Sequence, residues 1–323
     1  MGKIPIGRTI GEAFDFALGR YLTILGVVWL PLLLLVAMQY YVLVPYFAHL
    51  FEFVRFAAQH AREHPLPPPE LAAMRPLIWS ADALAVVISI WMQVGIAKTV
   101  LDLRTGPHFF YVPVGLDELR VIGGYLVFLA IIYGGMLALG IVIAIAVLIV
   151  YALVSGGAFT WDIAAWMRPW LGGGLMALIA LIVGALIYVQ VRFTFLLVPA
   201  TVAEKRFGLW RSWQLSKGNF WRIFTIGVGT LSPILVFEFF LIFAFYILVI
   251  MTLLTRLSAL HAHGPHPHGP PAVVAFMTVL WRYAVVYGAL AAAVVIPLLP
   301  IAFGLRFSPS VFAYRAIADE KNP

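Results

Sequence analysis

Three ionisable side chains stand among residues that are almost all apolar: Glu238 in "LVFEFFL", Arg282 in "LWRYAVVYG" and Asp82 in "IWSADALAVV". Charge in hydrocarbon is costly, so such residues mark ion or proton pathways, paired contacts, or structural side chains that are protonated or reach toward water. Glu238 and Arg282 fall on successive apolar runs with a short connection. They pair or face a shared polar cavity, with Asp82 as a further acid, or both are purely structural. A second group is "HAHGPHPHGPP", which places His261, His263, His266 and His268 on one short loop. Imidazoles at this density can ligate zinc, copper or nickel, or titrate near neutral pH. The simpler reading of the stretch is a solvated Pro/Gly/His linker between the fifth and sixth apolar runs. No carboxylate or cysteine completes a ligand set, and the prolines prevent a compact scaffold, so no metal site is expected.

A third group gathers cations and tryptophans in "KRFGLWRSWQLSKGNFWR", residues 205–222. Rings and guanidinium groups favour headgroup depth at a membrane surface. Leu209, Trp210 and Trp213 share one helical face, while Lys205, Arg206, Arg211, Lys217 and Arg222 are spaced to reach phosphates. The segment reads as an interfacial helix that ends at Lys217-Gly218, after which Trp221 and Arg222 anchor the next apolar run. The N-terminal "RTIGEAFDFALGRYLTILG" has the same design. Ile10, Ala13, Phe14, Ala17, Leu18 and Tyr21 form its stripe, and Thr9 with Glu12 fits a capping box.

The elements that carry these groups follow from composition. Of 323 residues, 63% are hydrophobic, far above an ordinary soluble domain. Apolar runs at about 21–47, 77–98, 121–153, 170–201, 222–254 and 273–305 are each long enough to cross about 30 Å of hydrocarbon as a helix. The expected fold is all-α, a polytopic bundle of six transmembrane helices with amphipathic interfacial helices on the cytoplasmic side. It forms a single integral membrane domain, 1–323, with a weak internal repeat of 1–153 and 170–323. The third run is about 50 Å long and must tilt, bend or protrude. Asp117 reads as the cap of a short helix leading into it. Ala130, Gly134 and Ala138 along the third run, and the glycines opening the fourth, suit close helix packing.

Of the 21 Lys and Arg, only Arg55, Arg62, Arg75, Arg168, Arg256 and Arg282 fall on the side opposite the termini. The asymmetry puts both termini in the cytoplasm. The net charge of +7 is therefore topological and does not point to nucleic acid. There is no cysteine, and no nucleophile elbow, metalloprotease helix, phosphate loop or paired-carboxylate site. No enzyme and no cofactor is expected.

From Arg192 to Gly227, in "RFTFLLVPATVAEKRFGLWRSWQLSKGNFWRIFTIG", the chain resembles the YciC-like bacterial inner-membrane proteins. It is similar there to the membrane domain attached to some glycerophosphodiester phosphodiesterases. "GEAFDFALGRY" near the N-terminus adds to the likeness. It implies a multi-pass protein of the bacterial cytoplasmic (inner) membrane with no hydrolase domain. The functional expectation is a non-enzymatic protein that interacts with lipids, anionic headgroups above all, or with a membrane-protein partner or a second copy. The alternative is a small transporter or channel with a polar site near Glu238 and Arg282.

Overall fold

The structure is a computed structural model that describes residues 3–59, 68–104, 115–155, 161–262 and 270–319. It is all-α, with no strand among the described residues. Ten helices follow in order: α1 (Ile6–Gly19), α2 (Tyr21–Gln59), α3 (Pro69–Ala73), α4 (Arg75–Val100), α5 (Leu116–Ser155), α6 (Trp161–Thr194), α7 (Leu197–Glu204), α8 (Leu209–Leu215), α9 (Phe220–Ala262) and α10 (Pro270–Asp319). Among the described residues six segments are long and apolar enough to cross a membrane: Tyr21–Val54, Pro69–Val100, Leu116–Ala146, Met176–Glu204, Phe220–Thr252 and Ala292–Ala318. The expected bundle of six apolar spans is present.

Several local expectations give way to backbone chemistry. α1 begins at Ile6, directly after Pro5, whose carbonyl accepts the first helical bond from Thr9 N–H at 3.0 Å. Thr9 therefore lies inside the helix, its hydroxyl donating to Pro5 O at 2.9 Å, and does not cap it. The packed face of α1 is Thr9, Ala13, Phe16 and Ala17, whereas Leu18 is 60% exposed. The apolar arc is wider than the buried one. Asp117 likewise sits within the first turn of α5, where its carboxylate favours the helix N-terminus and accepts a 3.0 Å bond from Arg120.

The fourth span does not run straight through to its end. α6 stops at Thr194 and α7 starts at Leu197, with Pro199 in its first turn. Proline has no N–H to donate back to Phe195, so the ladder breaks and restarts where the missing donor matters least. The last helix, by contrast, continues to Asp319, well past the expected boundary near 305. Its final turns bury Val311, Ala313, Tyr314 and Ile317 at helical spacing. Among the described residues nothing packs on the small residues singled out on the third span: a methyl added at Gly134 meets nothing within 4 Å, and Ala130 and Ala138 are exposed. The tightly packed glycines of α5 are instead Gly123 and Gly124, where an added Cβ would lie 2.9 Å from Phe207 and 3.0 Å from Leu197.

Contacts divide the chain into two compact units. One comprises Met1–Thr9, Val114–Thr225 and Ser310–Pro323. Its core joins Phe128 of α5, Phe193 of α6, Leu197 of α7 and Leu209 of α8, with Tyr125, Ile132, Val189 and Trp213 packed around them. The other comprises Ile10–Pro113 and Ile226–Pro309. There α2 packs along α4, which buries Ile88, Met92, Val94 and Ile96. Within this unit Tyr21 donates to Pro297 O at 2.9 Å, and a Cβ at Gly304 would press on Ala17 and Ile24 at 3.0 Å. Such close approaches leave room only for hydrogen at that position.

Candidate functional site at the basic aromatic segment

The segment 205–222 belongs to the first unit, and its shape is set by what surrounds α8. Gly208 is the residue before that helix; its N–H donates to Thr201 Oγ1 at 3.1 Å, and its carbonyl accepts from Ser212 N–H at 2.7 Å. α8 is only seven residues long, and Leu209, Ser212 and Leu215 are its buried side chains. Two residues past Ser216, Gly218 takes a left-handed φ of +79° and turns the chain toward α9. That conformation is routine for glycine and strained for other residues, and it realises the stop expected at Lys217-Gly218.

One side chain organises the segment. Arg192, near the end of α6, is 7% exposed. Its Nε donates to Ser216 Oγ at 3.2 Å, Nη1 to Tyr188 OH at 2.8 Å, and Nη2 to Trp213 O at 2.8 Å. The guanidinium carbon lies 3.6 Å from the centre of the Trp213 ring. In return the Arg192 carbonyl accepts from Ser212 Oγ at 2.9 Å and from Ser216 Oγ at 3.3 Å. No carboxylate among the described residues pairs with it. The charge is held by donors' partners and by an aromatic face. Arg192 enters the sequence reading as a cytoplasmic-side cation and as the start of the run that carries the family resemblance, with no role at the segment 205–222. A cation closing an apolar run, thirteen residues before the Trp-rich segment 205–222, was the available signal.

A second cluster forms on Glu204, the last residue of α7. Arg206 donates to its Oε2 from Nε at 2.8 Å and from Nη2 at 2.6 Å, Arg211 Nε donates to Oε1 at 2.7 Å, and Tyr314 OH to Oε1 at 3.3 Å. Two of the cations assigned to phosphates thus already hold a carboxylate. Arg222 is also engaged, donating from Nη1 to Ile4 O at 2.8 Å, while Ile4 N–H donates to Asn219 Oδ1 at 3.3 Å. These two bonds tie the N-terminal segment onto the start of α9.

Trp213 does not share a free face with Trp210. It stacks on Phe193 at 4.6 Å beneath Arg192, whereas Trp210 is 63% exposed and Leu209 is buried. Among the cations and rings of the segment, Lys205, Phe207, Trp210, Lys217 and Trp221 face outward, as does Arg206, whose guanidinium holds Glu204.

The three intramembrane candidates lie on three different helices. Asp82 lies on α4 and Glu238 on α9, both exposed, with no hydrogen bond or ion pair between them. Arg282 lies on α10, and its side chain is outside the described residues. His261 is in the last turn of α9 with its side chain also outside them, as are His263, His266 and His268 altogether. Among the described residues no cluster of His, Asp or Glu could hold a metal ion. Comparison with family models, with curated proteins and with solved structures found no match, so the functional reading rests on this chain's own geometry.

Proposed function

We propose that this is a non-enzymatic, multi-pass protein of a bacterial cytoplasmic membrane whose segment 205–222 binds anionic lipid headgroups at the cytoplasmic face. One observation carries the reading: Lys205 and Lys217 remain exposed beside the exposed rings of Phe207, Trp210 and Trp221, at the end of apolar spans. Aromatic rings settle at headgroup depth, and each nearby cation adds about 1 kcal/mol of attraction to an anionic surface. Arg206 and Arg211 contribute less, since Glu204 neutralises part of their charge.

Lipid retention measured by native mass spectrometry tests this, using protein released with little delipidation. Replacing Lys205 and Lys217 together with Gln removes about 2 kcal/mol of attraction and should weaken anionic-lipid retention roughly thirtyfold. Glu204→Gln should act in the opposite direction, because it frees two guanidinium groups. Equal retention of anionic and zwitterionic lipids by all three forms would overturn the proposal.

The orientation has its own test, since the chain has no native thiol. A single cysteine at Lys217 should react with an impermeant reagent only from the cytoplasmic side, and one at exposed Ala72 only from the outside. Ser216 is unsuitable because it is fully buried. Labelling from the reverse sides would invert the topology.

A further inference from the structure

We infer that the cluster on Glu204 is a clamp for a phosphate monoester headgroup, with Glu204 as a resident carboxylate that a phosphodiester headgroup does not displace. The inference rests on the lipid reading of segment 205–222 and names the headgroup class which that segment selects. Two guanidinium groups converge on one carboxylate. Arg206 holds Oε2 through Nε at 2.8 Å and Nη2 at 2.6 Å, Arg211 Nε holds Oε1 at 2.7 Å, and Tyr314 OH donates to Oε1 at 3.3 Å. All four residues belong to the first unit. Side chains two residues apart do not face each other on a helix, and it is the left-handed φ of +50° at Lys205 that turns Arg206 back onto Glu204.

Glu204 satisfies this site only in part. Its single negative charge stands against two guanidinium groups, with Lys205 as a further exposed cation between Glu204 and Arg206 in the chain. Nη1 of Arg206 and both Nη atoms of Arg211 make no hydrogen bond among the described residues. Guanidinium forks take the oxygen pairs of carboxylate and phosphate alike, so the donors suit either anion. Charge and oxygen count decide between occupants. A phosphodiester offers two terminal oxygens and one charge, no more than Glu204, which is tethered beside the forks at high effective concentration. A monoester offers three acceptor oxygens and a charge approaching −2, which matches both guanidinium groups. The exposed rings of Phe207 and Trp210 adjoin Arg206 and Arg211 in the chain and favour headgroup depth, so the occupant is a lipid phosphate and not a soluble one.

The test offers the purified chain, in micelles containing phosphatidylcholine, equal amounts of phosphatidic acid and phosphatidylglycerol with identical acyl chains. Native mass spectrometry reads which is retained. Phosphatidic acid, the monoester, should be held about tenfold better than phosphatidylglycerol, the diester. Arg206 is 68% exposed, so Arg206→Gln leaves the packed junction intact and should bring the ratio below about threefold. Glu204→Gln should narrow it as well, by raising phosphatidylglycerol. Lys217→Gln, which takes no part in the clamp, should lower both lipids and keep the ratio. Equal retention of the two anionic lipids by the native chain, both above phosphatidylcholine, would overturn the inference and leave the lipid reading standing. Retention no better than that of phosphatidylcholine would overturn both. A preference unchanged in both Arg206→Gln and Glu204→Gln would put the selection elsewhere and also overturn the inference. Inorganic phosphate, at about tenfold excess over phosphatidic acid, should leave the preference in place. Its loss there would make the clamp a soluble-phosphate site and overturn the assignment to a lipid.

Discussion

Gly208→Ala should destabilise the protein by about 3 kcal/mol, the upper end of what overpacking costs. A Cβ at this position would lie 2.5 Å from Thr201 Oγ1, 2.7 Å from Thr201 N and 2.8 Å from Leu197 O. The hydroxyl could turn away, but two of the three atoms are backbone of α7. The only relief is to separate α7 from the start of α8, which also breaks the bond from Gly208 N–H to Thr201. Reversible unfolding in mixed micelles measures the loss, with Gly218→Ala as a comparison. There the added methyl meets open space and only the left-handed φ is strained, for about 1 kcal/mol. Thr201→Ala should not rescue Gly208→Ala, because the backbone contacts persist. Full rescue in the double variant would show that the hydroxyl was the whole obstacle.

The α7–α8 junction also shows where reading by residue type succeeds and where it stops. The six spans were legible because each is a continuous apolar run, and burial in hydrocarbon depends on composition more than on a partner's shape. The stop at Gly218 was legible because only glycine enters the left-handed region without strain. The opening of α1 was misplaced because Thr9 and Glu12 match a capping pattern, yet Pro5 starts the helix a turn earlier. The face of α8 was misassigned for a different reason. Periodicity groups Trp210 with Trp213, but a seven-residue helix has too little apolar surface to set its own orientation. That is decided by Arg192, which holds Trp213 inward. Glu204 was missed because a carboxylate between spans draws no notice until the fold brings Arg206, Arg211 and Tyr314 around it. Such contacts span up to 110 residues in sequence and leave no local pattern.

Arg192→Ala should cost about 3 kcal/mol and release α8 from the end of α6. The substitution removes the donor from Trp213 O and from two hydroxyls, and takes away the cation over the Trp213 ring. Ser212 and Ser216 still have the Arg192 backbone carbonyl as an acceptor, so the junction loosens without losing every tie. Arg192→Lys keeps the charge but not the planar fork that reaches Ser216, Tyr188 and Trp213 at once, and should recover less than half of the loss. Two readings separate this anchor from the Glu204 cluster. Trypsin should cut within 205–222 much faster in Arg192→Ala, and the emission of Trp213 should shift to the red as its ring leaves Phe193. Salt should distinguish them further. Moving from 0.1 to 1 M shortens the screening length from about 10 to about 3 Å, which weakens the exposed Arg206–Glu204 pair. Arg192 is buried among neutral acceptors and an aromatic ring, so its contribution should hardly change. If the cost of Arg192→Ala collapsed at high salt, an anionic partner, and not this neutral cage, would be holding the guanidinium.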